Sequence, residues 1–165
     1  MKLGKYSCSI NGDVVSTNMP TLNHLCDKES ILRLEAAMLA MPGADTSDGD
    51  VHHHFSDGLY ARELRIPADT VLIGHIHLQG QINFLLKGTI RVTTDDGVKT
   101  LTAPQIVVTG PGTKRAGYAI TDVVWVTVSA TNEKDPEIIR EQIIAKDFND
   151  PRLIAIEEAL CLGAQ

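Results

Sequence analysis

The chain has 165 residues, 43% of them apolar and 22% charged, which predicts one compact domain with its own core and neither a disordered chain nor a membrane-spanning helix. A net charge of -6 opposes binding to a nucleic-acid duplex, because phosphate contacts need a concentrated basic surface, but it leaves room for a small anion at a local cationic cluster. The cysteines Cys8, Cys26 and Cys161 are odd in number and far apart, which suits neither a disulfide framework nor a paired-cysteine zinc site. Reduced thiols in a cytoplasmic protein are the expectation, and the opening MKLGKYSCSINGDVV agrees, since it lacks the apolar middle region of a secretory signal.

In chain order, the first predicted element is a helix over Asp27 to Met41. Asp27 or Ser30 is its N-cap, Ile31, Leu32, Leu34, Ala37, Met38 and Met41 form its apolar face, and Pro42-Gly43 is its stop. The small and acidic run Ala44 to Asp50 reads as a solvated loop, and the run His52, His53 and His54 as its exposed continuation. From Tyr60 to Thr131 the pattern changes to short runs rich in Val, Ile and Thr: YARELRIP, TVLIGHIHL, INFLLKGTIRVTT, VKTLTA, QIVVTG, RAGYAI and VVWVTVSA. Turn residues separate them, among them Pro67-Ala68-Asp69, Asp96-Gly97 and Gly110-Pro111-Gly112, as in an antiparallel barrel or sandwich. Two helices close the chain, one capped by Asp135 with Pro136 at its first position, the other starting at Asn149-Asp150-Pro151. The expected organisation is an N-terminal appendage over 1–50, a β barrel over 51–131 and a helical segment over 132–165.

Within the barrel, alternate residues of a strand share a face, so His75 and His77 project together, with Val71, Ile73 and Ile76 expected to provide packing. Gln81 follows His77 by four residues, Asn83 is close by, and Gly88 comes seven residues after Gln81. This order resembles the first motif of the cupin superfamily, whose polar residue is usually glutamate. The second cupin motif, a proline and glycine turn followed by histidine, has its turn here at Gly110-Pro111-Gly112, but Arg115 stands nearest the histidine position. The resemblance implies a mainly β fold, a single cupin-type antiparallel barrel or jelly roll, with a helix before it and helices after it.

A longer resemblance runs from His54 to Trp125, through HFSDGLYARELRIPADT, GHIHLQGQINFLLKG and APQIVVTGPGTKRAGYAITDVVW. It is similar to cupin-like proteins encoded by tailed bacteriophages, in which the place of Gln81 is often histidine and another histidine commonly lies near Ser129. Both are absent here. The resemblance selects His54 from the histidine run as a ligand-binding candidate, and it would put the chain in the cytoplasm of a phage host.

Two histidines and a neutral amide are a weak set for a catalytic metal, which normally has three histidine or carboxylate ligands. The cofactor expectation is therefore none, or one divalent transition metal on His75, His77 and Gln81. Arg62, Lys114 and Arg115 are candidates for holding a carboxylate or phosphate, because guanidinium offers paired donors and the nearby glycines let backbone N–H groups approach an anion. Tyr60 and Tyr118 can stack and donate, while Trp125 is expected in the core.

Three functions follow. The first is a non-catalytic binder of an anionic or nucleotide-like small molecule, of which sequestration of a host defence signal is a specific form. The second is a metal-dependent oxygenase, isomerase or hydrolase, and the third an assembly protein that uses the barrel as a scaffold. A homodimer is expected, since exposed strand edges and isoleucine-rich terminal helices leave apolar surface to cover.

Overall fold

In a computed structural model, residues 2–5 and 27–162 are described. In chain order the elements are β1 (Lys2–Lys5), α1 (Lys28–Leu39), β2 (Asp50–Ser56), β3 (Leu59–Ile66), β4 (Thr70–Ile73), β5 (Ile76–His77), β6 (Gln81–Lys87) and β7 (Thr89–Thr94). They continue with β8 (Gly97–Thr102), β9 (Gln105–Thr109), β10 (Ala116–Ala119), β11 (Val123–Ala130), α2 (Pro136–Ile143), β12 (Ile144–Ala145) and α3 (Pro151–Leu162).

Among the described residues the strands form two five-stranded sheets of order β1-β4-β10-β7-β8 and β2-β3-β11-β6-β9 and a two-stranded sheet of β12 and β5, and every pairing is antiparallel. Neighbours distant in sequence, such as β3 beside β11 and β4 beside β10, give the crossovers of a jelly roll. The fold class expected from the sequence is thus found, as two facing sheets rather than one closed barrel. Leu64, Ile66, Leu85 and Val123 from one sheet meet Leu72, Ile90, Val92 and Ala119 from the other in the principal core. The strand set extends past the expected 51–131 span, because β1 adds to β4 before it and β12 pairs with β5 after it.

The helix signals in the sequence act locally and are realised. The Asp27 carboxylate accepts from the Ser30 amide at 2.7 Å, and that of Asp135 from the Glu137 amide at 2.9 Å. Ile31 and Met38 of α1 pack on Ile73 and Ala116, and Leu153 of α3 packs on Ile76, Leu78 and Ala145. Each helix therefore covers the outside of the strands that lead into the site.

Three strand expectations change. His52, His53 and His54 lie on β2, paired with β3, rather than in a loop. The run INFLLKGTIRVTT is two strands split at Gly88, whose φ of +88° favours glycine and where an added Cβ would stand 2.1 Å from the Asp122 carbonyl oxygen. TVLIGHIHL is also two strands, broken at Gly74-His75, where the Gly74 amide donates to the Arg115 carbonyl at 2.8 Å. In the tight turn between β7 and β8, Gly97 takes the positive φ at +108°, with Asp95 and Asp96 between the strands.

Candidate functional site

The break at Gly74-His75 shapes the site. In one continuous strand Leu72 and His75 would face opposite ways, yet Leu72, Gly74, His75 and His77 all line the same cavity between the sheets. Ile73 instead packs under α1 and Ile76 under α3. The interruption shifts the alternation by one residue, so apolar and imidazole side chains both point inward. The two histidines do face the interior, but Val71 and Ile73 are not their companions there.

The cavity has a volume of about 210 Å³ and is polar at one end and apolar at the other. Pairing sets this gradient: Ser129 is opposite Tyr60, Thr127 opposite Arg62, Trp125 opposite Leu64 and Val123 opposite Ile66. On the facing sheet Gly117 and Val92 pair below Arg115, which precedes β10 beside Gly74. At the polar end Tyr60 is packed under Ile139 and Ile143 of α2, and the exposed Glu137 and Arg140 of that helix border the opening.

Hydrogen bonds fix most polar side chains. The Gln81 amide nitrogen lies 2.6 Å from His77 Nδ1 and 3.3 Å from Ser129 Oγ. With that nitrogen as donor, His77 Nδ1 accepts, and the neutral ring carries its proton on Nε2. Burial, reinforced by the Arg62 charge, holds the His77 pKa down to about 4, so the ring is neutral at pH 7. Asn83 is saturated: its Oδ1 accepts from Trp125 Nε1 at 3.2 Å and Thr127 Oγ1 at 2.8 Å, while its nitrogen donates to Val107 O and Thr109 Oγ1. Near the opening Tyr60 OH is 2.7 Å from His53 Nδ1, and the rings of His53, Phe55 and Tyr60 stack.

The cations are less completely paired. Arg62 donates to the Asp48 carbonyl at 3.4 Å and lies 3.9 Å from the Asp48 carboxylate, which Arg140 approaches at 3.5 Å. Arg115 Nη1 donates to the Thr93 carbonyl at 2.7 Å. Burial lowers the pKa of both guanidiniums, with Asp48 opposing the shift at Arg62 and Asp95 opposing it at Arg115. Among the described residues, Arg115 Nε and His75 Nε2 are buried without a hydrogen-bond partner. Buried polar atoms are seldom left so, and their cost is relieved when a ligand or ordered water occupies the space beside them.

Of the residues selected from the sequence, Tyr60, Arg62, His75, His77, Gln81, Asn83 and Arg115 line the cavity. Three lie elsewhere. His54 is on the outer face, 3.0 Å from Glu63, and its neighbour His53 is the histidine that borders the cavity. Lys114 is consumed by a buried pair with Glu35 at 3.1 Å and by the Gly74 carbonyl at 3.1 Å, so it fastens α1 to the sheet. Tyr118 donates to Asp69 at 2.8 Å outside the cavity. Trp125 packs against the principal core as expected and also lines the cavity, with its N–H held by Asn83.

The sequence reading also missed His53, Ser129, Asp48 and Arg140. A usable signal existed for His53. The Asp57-Gly58 turn pairs Ser56 with Leu59, and that register puts Val51, His53 and Phe55 on the same face as Tyr60, Arg62 and Leu64.

A divalent metal, which the sequence resemblance would allow on His75, His77 and Gln81, fits these residues poorly. Among the described residues no three His, Cys, Asp or Glu side chains converge. His77 offers its Nδ1 lone pair to Gln81 and a proton at Nε2, which leaves His75 Nε2 as a lone imidazole donor in a cavity that also holds two guanidiniums.

No family model and no curated protein matches the sequence. Among solved structures, the chain is similar to KdgF from Halomonas sp., with 14% identity, a TM-score of 0.45, and 53% of this chain against 81% of that one. A cupin-2 domain protein from Shewanella frigidimarina gives 9% identity and a TM-score of 0.43 over 59% of this chain and 92% of that one. An HTH_3 family transcriptional regulator from Vibrio cholerae gives 17% identity and a TM-score of 0.42, and the match spans 50% of this chain and 51% of the regulator. Likeness at this level assigns no activity. Among the described residues, no helix is long and apolar enough to cross a membrane.

Proposed function

We propose that the cavity is a metal-free binding site for a small organic anion, and that the chain is a binding protein rather than an enzyme. One observation carries this: two half-buried arginines, Arg62 and Arg115, line a cavity whose His77 is held neutral and whose Arg115 Nε and His75 Nε2 lack partners among the described residues. Fixed positive charge there opposes a divalent cation and favours an anion. Sequestration of a small anionic host signal, suggested by the phage-like segment from His54 to Trp125, is one biological form of this activity.

The proposal includes a homodimer. Its support is the outer face of β6 and β9, where Ile82, Leu86, Ile106 and Val108 are exposed and Ile82 pairs with Val108. β9 ends its sheet, so a second copy of the same face would cover both the apolar patch and the open edge.

Native mass spectrometry and elemental analysis of untagged protein from its host test the proposal. The expected result is an organic anion bound without stoichiometric metal, with Arg115→Ala weakening binding by about 1.5–3 kcal/mol. The melting temperature should move little, because losing the Nη1 bond to the Thr93 carbonyl is offset by removing the buried Nε that has no partner. Stoichiometric iron, zinc, manganese or nickel that disappears in His77→Ala would overturn it in favour of a metal enzyme.

A further inference from the structure

Two features of the cavity narrow the ligand beyond its charge, and both depend on the anion-binding proposal above. The first is size. At about 210 Å³ the cavity is below the ~300–1,000 Å³ of pockets for drug-sized ligands. That size favours a short carboxylic acid over a nucleotide.

The second feature is the division of the walls. Tyr60, Arg62 and Ser129 on one sheet and His77 and Arg115 opposite form the end under α2, where the exposed Arg140 and Glu137 mark the opening. Two residues further along the same strands the lining becomes Leu64 and Trp125, facing Leu72, Ile90 and Val92. A bare oxyanion would fill the polar end and leave the apolar end empty or wet. A ligand matching both ends has its charge at the opening and a hydrocarbon body directed inward.

We infer that the cavity selects small amphipathic monoacids, short-chain or aromatic carboxylates, over inorganic phosphate and over nucleotides. The carboxylate lies at the polar end that Arg62, Arg115 and His77 line, where a guanidinium and the His77 Nε2–H can donate to it. The chain of the acid displaces water from the surfaces of Leu64, Ile90 and Val92, and its length is limited by the packed core that Ile66 and Val123 enter.

Trp125, the single tryptophan of the chain, borders the cavity and reports occupancy by its fluorescence. Full-length protein is titrated with acetate, butyrate, hexanoate, hexanol, inorganic phosphate and AMP. The expected result is saturable binding that tightens about fourfold per added methylene from acetate to hexanoate, the worth of ~0.8 kcal/mol per buried CH₂. Hexanol should bind at least tenfold more weakly than hexanoate, and Arg62→Gln should remove that difference. Because the series uses unaltered protein, it decides the question even if the variant fails to fold.

Equal affinity for acetate and hexanoate, or tighter binding of phosphate or AMP than of hexanoate, would overturn the amphipathic assignment and leave the anion site standing. Hexanol binding as tightly as hexanoate would overturn the anion site itself, and with it this inference. Binding of none of the probes would overturn both.

Discussion

Lowering the pH should destabilise this fold through His77 in a predictable window. An imidazole in the unfolded chain titrates near 6.5, whereas burial and the Arg62 charge hold the folded His77 down to about 4. Between these values the unfolded chain binds more protons than the folded one, so stability rises with pH across the interval. The contribution is fully present above about pH 6.5 and is lost as the pH falls to about 4. The 2.5-unit difference corresponds to about 3 kcal/mol, at ~1.36 kcal/mol per unit. Urea unfolding of the wild type and of His77→Asn, run in parallel from pH 7.5 to 4, isolates this contribution, because carboxylate titrations common to both proteins cancel in the difference. The wild type should lose about 3 kcal/mol relative to the variant over that range. A difference that stays flat, or a wild type that gains relative stability in acid, would show that His77 is not held neutral by its surroundings.

Three further outcomes are expected. Lys114→Ala strands Glu35 in a site where the two side chains are only 8% and 18% exposed, and should cost about 3 kcal/mol in urea unfolding, whereas a Lys114→Met, Glu35→Met double variant should cost much less. Gly88→Ala combines a positive φ with a Cβ placed 2.1 Å from the Asp122 carbonyl, and should lower stability by about 3 kcal/mol without altering probe affinity, measured by calorimetry and Trp125 fluorescence. Ile106→Lys, on an outer-face side chain that is 67% exposed, should convert a dimer to a monomer in light scattering at micromolar concentration, and a wild type already monomeric there would refute the dimer.

The sequence displayed those parts of the fold whose causes are local. Asp27, Asp135 and Asp150 precede helices because a carboxylate at that place accepts an amide two or three residues onward, and Asp96-Gly97 allowed a hairpin to be located within a residue or two. What it displayed less well depends on register or on distant partners. His54 was preferred over His53 because the resemblance fell there, while the pairing of β2 with β3 turns His54 outward. Lys114 looked like a free cation beside a glycine turn, but its partner Glu35 is 79 residues away on α1. Simple alternation predicts the inward direction of His75 and His77, although the strand in fact breaks at Gly74-His75.

That break also explains why the polar end has the composition it does. A continuous strand would bury Leu72, Gly74 and Ile76 and turn both histidines outward, which by burial alone is the cheaper arrangement. The observed chain keeps Ile76 buried under Leu153 of α3, pairs His77 with Ile144 of β12, and fixes the His77 carbonyl with the Gly112 amide at 2.8 Å. The C-terminal segment thus holds β5 in the shifted phase, and the desolvation of two imidazoles and two guanidiniums is the accompanying cost. Asn83 shows how a structural polar group is treated in this interior, with every donor and acceptor engaged. Arg115 Nε and His75 Nε2 are not treated that way among the described residues, although the side chains that carry them line the same cavity. A polar end needed only for folding would be expected to resemble the Asn83 network. One whose remaining donors are satisfied by a bound anion would resemble the arrangement around Arg115, and this contrast within one cavity is the physical basis for the proposal that this end binds a ligand.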